Sequence, residues 1–209
     1  MQKLAMVAAL VAALAGWPML AQEASQDAPA PLAKVVLKAE DKPKFQITSS
    51  AFRDGGGIPF RHSDYDEGVS PPLAWTGAPE ATRSFVIVME GPEAIEERPF
   101  INWIAYNIPA NVQELPEGVL QQAVLPEPQG MMQGVNSVGQ TGYVGPAPPI
   151  GGGAHRYYIQ IFALDSELDL APNASRGQLL DAMQGHVLAM GEIKGEFQAG
   201  GTPGTATGP

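Results

Sequence analysis

His155, Arg156 and Tyr157 stand in a row directly after a stretch of glycine and proline. If they open a β-strand, side chains alternate, so His155 and Tyr157 share one face and Arg156 takes the other. An imidazole and a phenol side by side can both donate hydrogen bonds to one anionic oxygen. The stretch before them is Gly142-Tyr143-Val144-Gly145-Pro146-Ala147-Pro148-Pro149, then Gly151-Gly152-Gly153. Glycine lets a backbone approach a ligand closely, and proline holds a loop still. Exposed N–H groups in such loops can cradle an anion. The chemistry these residues suggest is small-ligand binding at a loop rim. Taken alone, they read equally as a hydrogen-bonded core histidine next to a salt-bridged arginine.

Other chemistries are poorly served. The chain has three histidines and no cysteine, so a metal centre built from His and Cys has too few ligands, and neither a thiolate nucleophile nor a disulfide framework is available. His62, Asp64, Asp66 and Glu67 cluster in one loop, but the oxygen set and fixed glycine of a calcium loop are not completed. A solvated acidic loop is the plainer reading. No G-x-S-x-G elbow occurs, and Asn136-Ser137-Val138-Gly139 reads as a turn. Glu90 and Glu93, three residues apart at a strand end, make a commonplace pair. The remaining enzymatic arrangement, a hydrolase using Glu93 and His155, has no nucleophile or metal set behind it. We therefore expect no catalytic residue, no metal and no cofactor.

Charge limits the partners. With 12 Lys and Arg against 22 Asp and Glu, the formal net charge is −10, so phosphate backbones and anionic lipid surfaces repel the molecule. Nucleic acid is excluded as a partner. The N-terminus has the layout of a secretory signal peptide. Lys3 supplies the positive end, Leu4 to Leu14 is apolar, and Ala21 precedes the polar Gln22-Glu23. The apolar run is shorter than the roughly 20 residues a spanning helix needs. The expectation is cleavage near Ala21, no membrane span afterwards, and a periplasmic or secreted product.

These candidate residues need elements to position them. Phe85 to Met89 is a continuous apolar run rich in β-branched residues, as suits a strand covered on both faces. Ile101 to Ile108 is a second strand candidate and Arg156 to Leu164 a third. In the third, Tyr157, Ile159, Ile161 and Ala163 alternate with Tyr158, Gln160, Phe162 and Leu164. Glu192 to Phe197 is a fourth. Asn173 and Ser175 offer N-cap oxygens, and Leu179, Leu180, Met183, Val187 and Leu188 follow at helical spacing up to Gly191. The spacing predicts a mainly β domain with one C-terminal helix. It divides the chain into a signal peptide (1–21), a linker (22–44) with one short apolar piece at Val35-Val36-Leu37, one folded domain (45–197) and a disordered Gly/Thr/Pro tail (198–209).

Taken in order, the segments resemble the phosphatidylethanolamine-binding protein family, in its bacterial Raf-kinase-inhibitor-like (YbhB/YbcL) branch. The resemblance runs from Phe45 to Phe197. It is carried by Ser70-Pro71-Pro72-Leu73-Ala74-Trp75, the strand Ser84 to Glu90 followed by Gly91-Pro92-Glu93-Ala94, and Asn102-Trp103. It continues through Tyr106-Asn107-Ile108-Pro109, Gly134-Val135-Asn136-Ser137, Gly142 to Pro146, Pro148-Pro149, His155-Arg156-Tyr157, Ala163-Leu164-Asp165 and Gly185-His186-Val187-Leu188-Ala189. The resemblance implies a large antiparallel sheet packed with a smaller one plus a terminal helix. It also implies a pocket for phosphate-bearing or other small anions, phospholipid head groups included. His155, Arg156, Tyr157, Gly145, Pro148 and Pro149 match the family's pattern around the pocket. Gly91 and Glu93 stand where the family has two aspartates, and Asn102 where it has histidine before Trp103. These changes remove one carboxylate and one titratable ring. The implied function is non-enzymatic binding of a small anionic ligand, with Glu93 and Asn102 completing the ligand set. A regulator or inhibitor of an enzyme such as a protease or kinase is the alternative. A homodimer pairing near the pocket is a further expectation from the family.

Overall fold

The computed structural model describes residues 31–92 and 98–200. The expected signal peptide, the first part of the expected linker, Glu93 and most of the expected tail lie outside the described residues. Eleven named elements follow in chain order: α1 (Ala33–Val36), β1 (Gln46–Thr48), β2 (Gly56–Gly57), β3 (Leu73–Thr76), β4 (Ser84–Gly91), β5 (Phe100–Pro109), β6 (Glu114–Leu115), β7 (Met132–Gln133), β8 (His155–Leu164), α2 (Arg176–Met183) and β9 (Val187–Phe197). A single 3-10 turn covers Phe60–His62.

Six strands form one sheet in the order β2-β9-β8-β4-β5-β7, and three form a smaller sheet in the order β1-β3-β6. The long strands pair antiparallel; the two-residue β2 runs parallel to β9. The molecule is mainly β, as the alternation and punctuation of the sequence predict. Both faces of the large sheet are covered. Phe85, Ile87, Met89, Trp103, Ile159, Ile161 and Ile193 pack with Leu73 and Trp75 of the small sheet. Val86, Val88, Phe162 and Leu164 pack on the other face with Ala33, Leu179, Leu180 and Met183 of the helices. Strand β4 sits between β8 and β5, so all eight of its residues are buried. That double cover is why Phe85 to Met89 is apolar without alternation.

Two expectations need correction. The apolar spacing that predicted one helix through Leu188 spans two elements. Helix α2 begins at Ser175, whose side chain makes a capping box with Gln178, and it ends at Met183. Gly185 then takes φ 83°, which stops the helix, and Val187 pairs with Leu164 at the start of β9. Cross-strand pairing with β8 over ten residue pairs outweighs one more helical turn. The last strand follows the helix as expected, but it starts at Val187, five residues before Glu192.

The stretch 22–44 read as a linker also differs from that reading. From Leu32 it packs onto the sheet, with Ala33 and Ala39 fully buried and Leu37 nearly so. The reason lies 57 residues away. Glu90 on β4 is completely buried, and its carboxylate accepts hydrogen bonds from Ala33 N, from Gln160 Nε2 (2.8 Å) and from Arg176 Nε (2.9 Å). Arg176 also donates to Pro31 O at 2.9 Å, and Lys34 N to Gln160 Oε1 at 2.9 Å. A composition-based reading cannot see a segment anchored by a distant buried acid.

Candidate functional site

The site is assembled at the end of the large sheet where β8 begins. Strand pairing places His155 opposite Phe197, Arg156 opposite Glu196 and Tyr157 opposite Gly195. Directly opposite residues in an antiparallel pair share a face. His155, Tyr157 and Phe197 thus face the small-sheet side, and Arg156 takes the other, where its Nε lies 3.4 Å from Glu196 Oε1. Tyr157 is 6% exposed and His155 is half-buried. Gly91, the last residue of β4, lies against the Tyr157 ring: a Cβ there would meet ring carbons at 3.5 Å, an ordinary contact. The position where the family carries its first aspartate is thus beside Tyr157, and in this chain it brings no carboxylate.

The Gly/Pro loop is held on two sides. On one side it meets the 60–67 segment. Tyr143 Oη donates to His62 O at 2.6 Å, Asp64 N to Pro146 O at 3.2 Å, and Tyr65 Oη to Pro148 O at 2.7 Å. Gly145 is the closest point. A Cβ there would stand 2.4 Å from Asp64 N, so only glycine fits against that backbone. On the other side the loop meets β5. The register slips between Met89 and Glu90: Met89 pairs with Trp103 and Glu90 with Ile101, leaving Asn102 out of the ladder. Bulges re-aim side chains next to sites. Asn102 turns to the loop, accepting from Val144 N at its backbone O (2.8 Å) and donating from Nδ2 to Val144 O (3.0 Å). The Trp103 ring meets Tyr143 edge-on at 5.9 Å.

This geometry assigns parts to the expected ligand residues. His155 and Tyr157 are brought together on one face. Pro149 is exposed on the loop. Gly145 and Pro148 lie at the buried base of the rim, one packed on residues 62–64 and the other bonded through its carbonyl to Tyr65. Asn102 is fully buried, and its amide N–H is engaged by Val144; its Oδ1 has no hydrogen-bond partner. It acts as a clamp on the loop. Glu93 lies outside the described residues.

The sequence reading missed Phe60, Tyr65 and the part played by Tyr143. Phe60 and Tyr65 both stack on Phe197, with ring centroids 6.1 and 6.3 Å apart and interplanar angles of 24° and 12°. The aromatic residues on either side of His62 are the available signal, set among the more conspicuous acids of that segment. Burial, with Tyr157 and Asp64 close by, pushes the Tyr143 phenol far above its ordinary range, so it stays a neutral donor. His62 is a buried structural residue that donates from Nδ1 to Val69 O at 2.9 Å. Among the described residues no group of three or more His, Asp or Glu side chains is placed to hold a metal ion.

The family profile for phosphatidylethanolamine-binding proteins matches residues 48–198. The chain belongs to this family. A UPF0098 protein of Methanothermobacter thermautotrophicus is 39% identical over 154 residues, covering 74% of this chain and 99% of that protein. The crystal structure of a phosphatidylethanolamine-binding protein homologue from Chlamydia trachomatis aligns with a TM-score of 0.66 at 35% identity, over 74% of this chain and 97% of that one. YbcL of E. coli, described as a member of the mammalian family, aligns with a TM-score of 0.68 at 30% identity, over 74% of this chain and 98% of that one. Membership supports, in broad terms, a ligand-binding or regulatory part for this phosphatidylethanolamine-binding family member. Among the described residues, clefts also open away from this site. One of about 240 Å³ beside Trp75 and Phe85 is at the opposite end of β4, and one of about 350 Å³ lies between Lys34, Lys44 and Glu192.

Proposed function

We propose that this family member is an exported, non-enzymatic binding protein that holds a small anionic or phosphate-bearing ligand against His155 and Tyr157, beneath the Gly142 to Gly153 rim. One observation supports the reading above all. The rim is bonded on one side to residues 62–65 and on the other to Asn102, so it is a preformed wall beside a face carrying an imidazole and a phenol. Preformed walls with a few convergent polar groups are what small-molecule sites require. The signal-like N-terminus supports export to the periplasm or beyond.

The test is a titration of residues 22–209 with phosphate, phosphoethanolamine and acetate while the melting temperature is followed. A ligand at a hundredfold excess over its Kd stabilises by about 2.7 kcal/mol. For a domain of this size that is a rise of roughly 5–10 °C. The expected result is such a rise for at least one of the three, lost in His155→Ala. No rise with any of them, or an equal rise in the variant, overturns the reading.

A further inference from the structure

Among the described residues, three aromatic side chains are substantially exposed: Phe60 (41%), Tyr65 (40%) and Phe100 (37%). All three lie at one end of the molecule. Phe60 and Tyr65 stack on Phe197, the cross-strand partner of His155. Phe100 pairs with Gly91, whose backbone lies against the Tyr157 ring. Exposed aromatic surface is costly in water, and its concentration beside convergent polar groups marks a place where an apolar body is received.

We propose that this site takes a small organic acid whose acidic group carries a flat apolar substituent, and that the exposed rings of Phe60 and Tyr65, backed by the buried Phe197, seat that substituent. The proposal rests on the reading of the His155 face as the anion site. Three features point to a compact flat group. The rings lie within 24° of parallel to Phe197, so they present flat faces. Tyr65 is fixed by its hydrogen bond to Pro148 O, and the ring behind it and Phe60, Phe197, is held in the core, so little freedom is lost when a ligand ring settles on the exposed pair. Charge alone gives weak attraction here. The chain carries a net −10, and Asp64 is tied to the rim through its own N–H. Apolar contact supplies what the surrounding field withholds.

The experiment compares matched pairs by calorimetric titration of residues 22–209: phenyl phosphate against inorganic phosphate, and benzoate against acetate. Stacking on an aromatic face adds roughly 0.5–1.5 kcal/mol beyond the area buried, so the aryl acid of at least one pair is expected to bind about tenfold tighter than its plain partner. The ratio should fall to near one in Phe60→Ala and persist in Phe60→Tyr, which keeps a ring. A ratio near one in the unaltered protein, or the same ratio in Phe60→Ala, overturns the proposal while leaving anion binding intact. Absence of binding by all four compounds sinks the underlying anion site instead. Sedimentation in parallel covers the competing occupant: a dimer dissociated by Phe60→Ala shows that a second copy covers the rings, and also overturns the proposal.

Discussion

Tyr143 shows how one side chain can hold a site without touching a ligand. Its hydroxyl reaches His62 O at 2.6 Å, its ring leans on Trp103, and its backbone carbonyl accepts from Gln121 Nε2 at 2.8 Å. Removing the hydroxyl in Tyr143→Phe leaves a buried carbonyl short of its donor and should cost about 1–3 kcal/mol. A pH signature accompanies the loss. Burial raises this phenol in the folded state above its unfolded value of about 10. The stabilisation tied to its proton is therefore complete below pH 10 and declines as pH rises further. Tyr106 is shifted the same way, chiefly by burial, so Tyr143→Phe should reduce the alkaline decline without abolishing it. Melting temperature followed from pH 8 to 11 in both proteins checks this. At this scale the sequence made His155 and Tyr157 legible, because strand alternation is a local rule. Asn102 was harder. Its residue type suggested a donor to the ligand, and only the bulge at Met89–Glu90 shows the amide turned to Val144.

Among the elements, α1 depends most on a distant partner. Four residues cannot sustain a helix by their own hydrogen bonds. The segment stays in place because Glu90 receives Ala33 N and Arg176 braces Pro31 O. Glu90 is fully buried with Arg176 as its ion-pair partner at 2.9 Å. Breaking a buried pair strands the remaining charge and costs about 3–5 kcal/mol. Glu90→Ala is therefore expected to lower stability by that amount in a urea melt. It should also open the lysine-bearing stretch Lys34 to Lys44 to trypsin; resistance equal to that of the unaltered chain would contradict the anchoring role. Glu90 was visible in the sequence as an acid near a strand end, but nothing local said that it points into the core. The long strands were legible, since burial on two faces leaves an unbroken apolar run. The end of α2 was not, because Val187 and Leu188 satisfy helical and strand spacing alike, and pairing with β8 decides between them.

Over the whole molecule, two cores lie on either side of one sheet, and the N-terminal segment belongs to the second of them. Leu32, Ala33, Leu37 and Ala39 are each 8% exposed or less. A chain beginning at Pro31 keeps them, and one beginning at Phe45 loses them. Burying a leucine side chain is worth roughly 1.5–3 kcal/mol, so the shorter chain should lose at least about 3 kcal/mol of stability by its urea midpoint. Equal midpoints would return residues 31–44 to the status of a linker. The chain's own order of residues determined the mainly β architecture, the strand carrying His155 and Tyr157, and the stiff loop before it. Each of these follows from side-chain periodicity or from the fixed φ of proline, which act over a few residues. Only the tertiary structure decided which residues meet across long separations: Tyr143 with His62, Asn102 with Val144, Glu90 with Ala33, and Phe60 and Tyr65 with Phe197. Such contacts depend on strand register and on a bulge, so spacing along the chain carries no record of them. The aromatic wall beside His155 came into view for that reason only when the sheet was assembled.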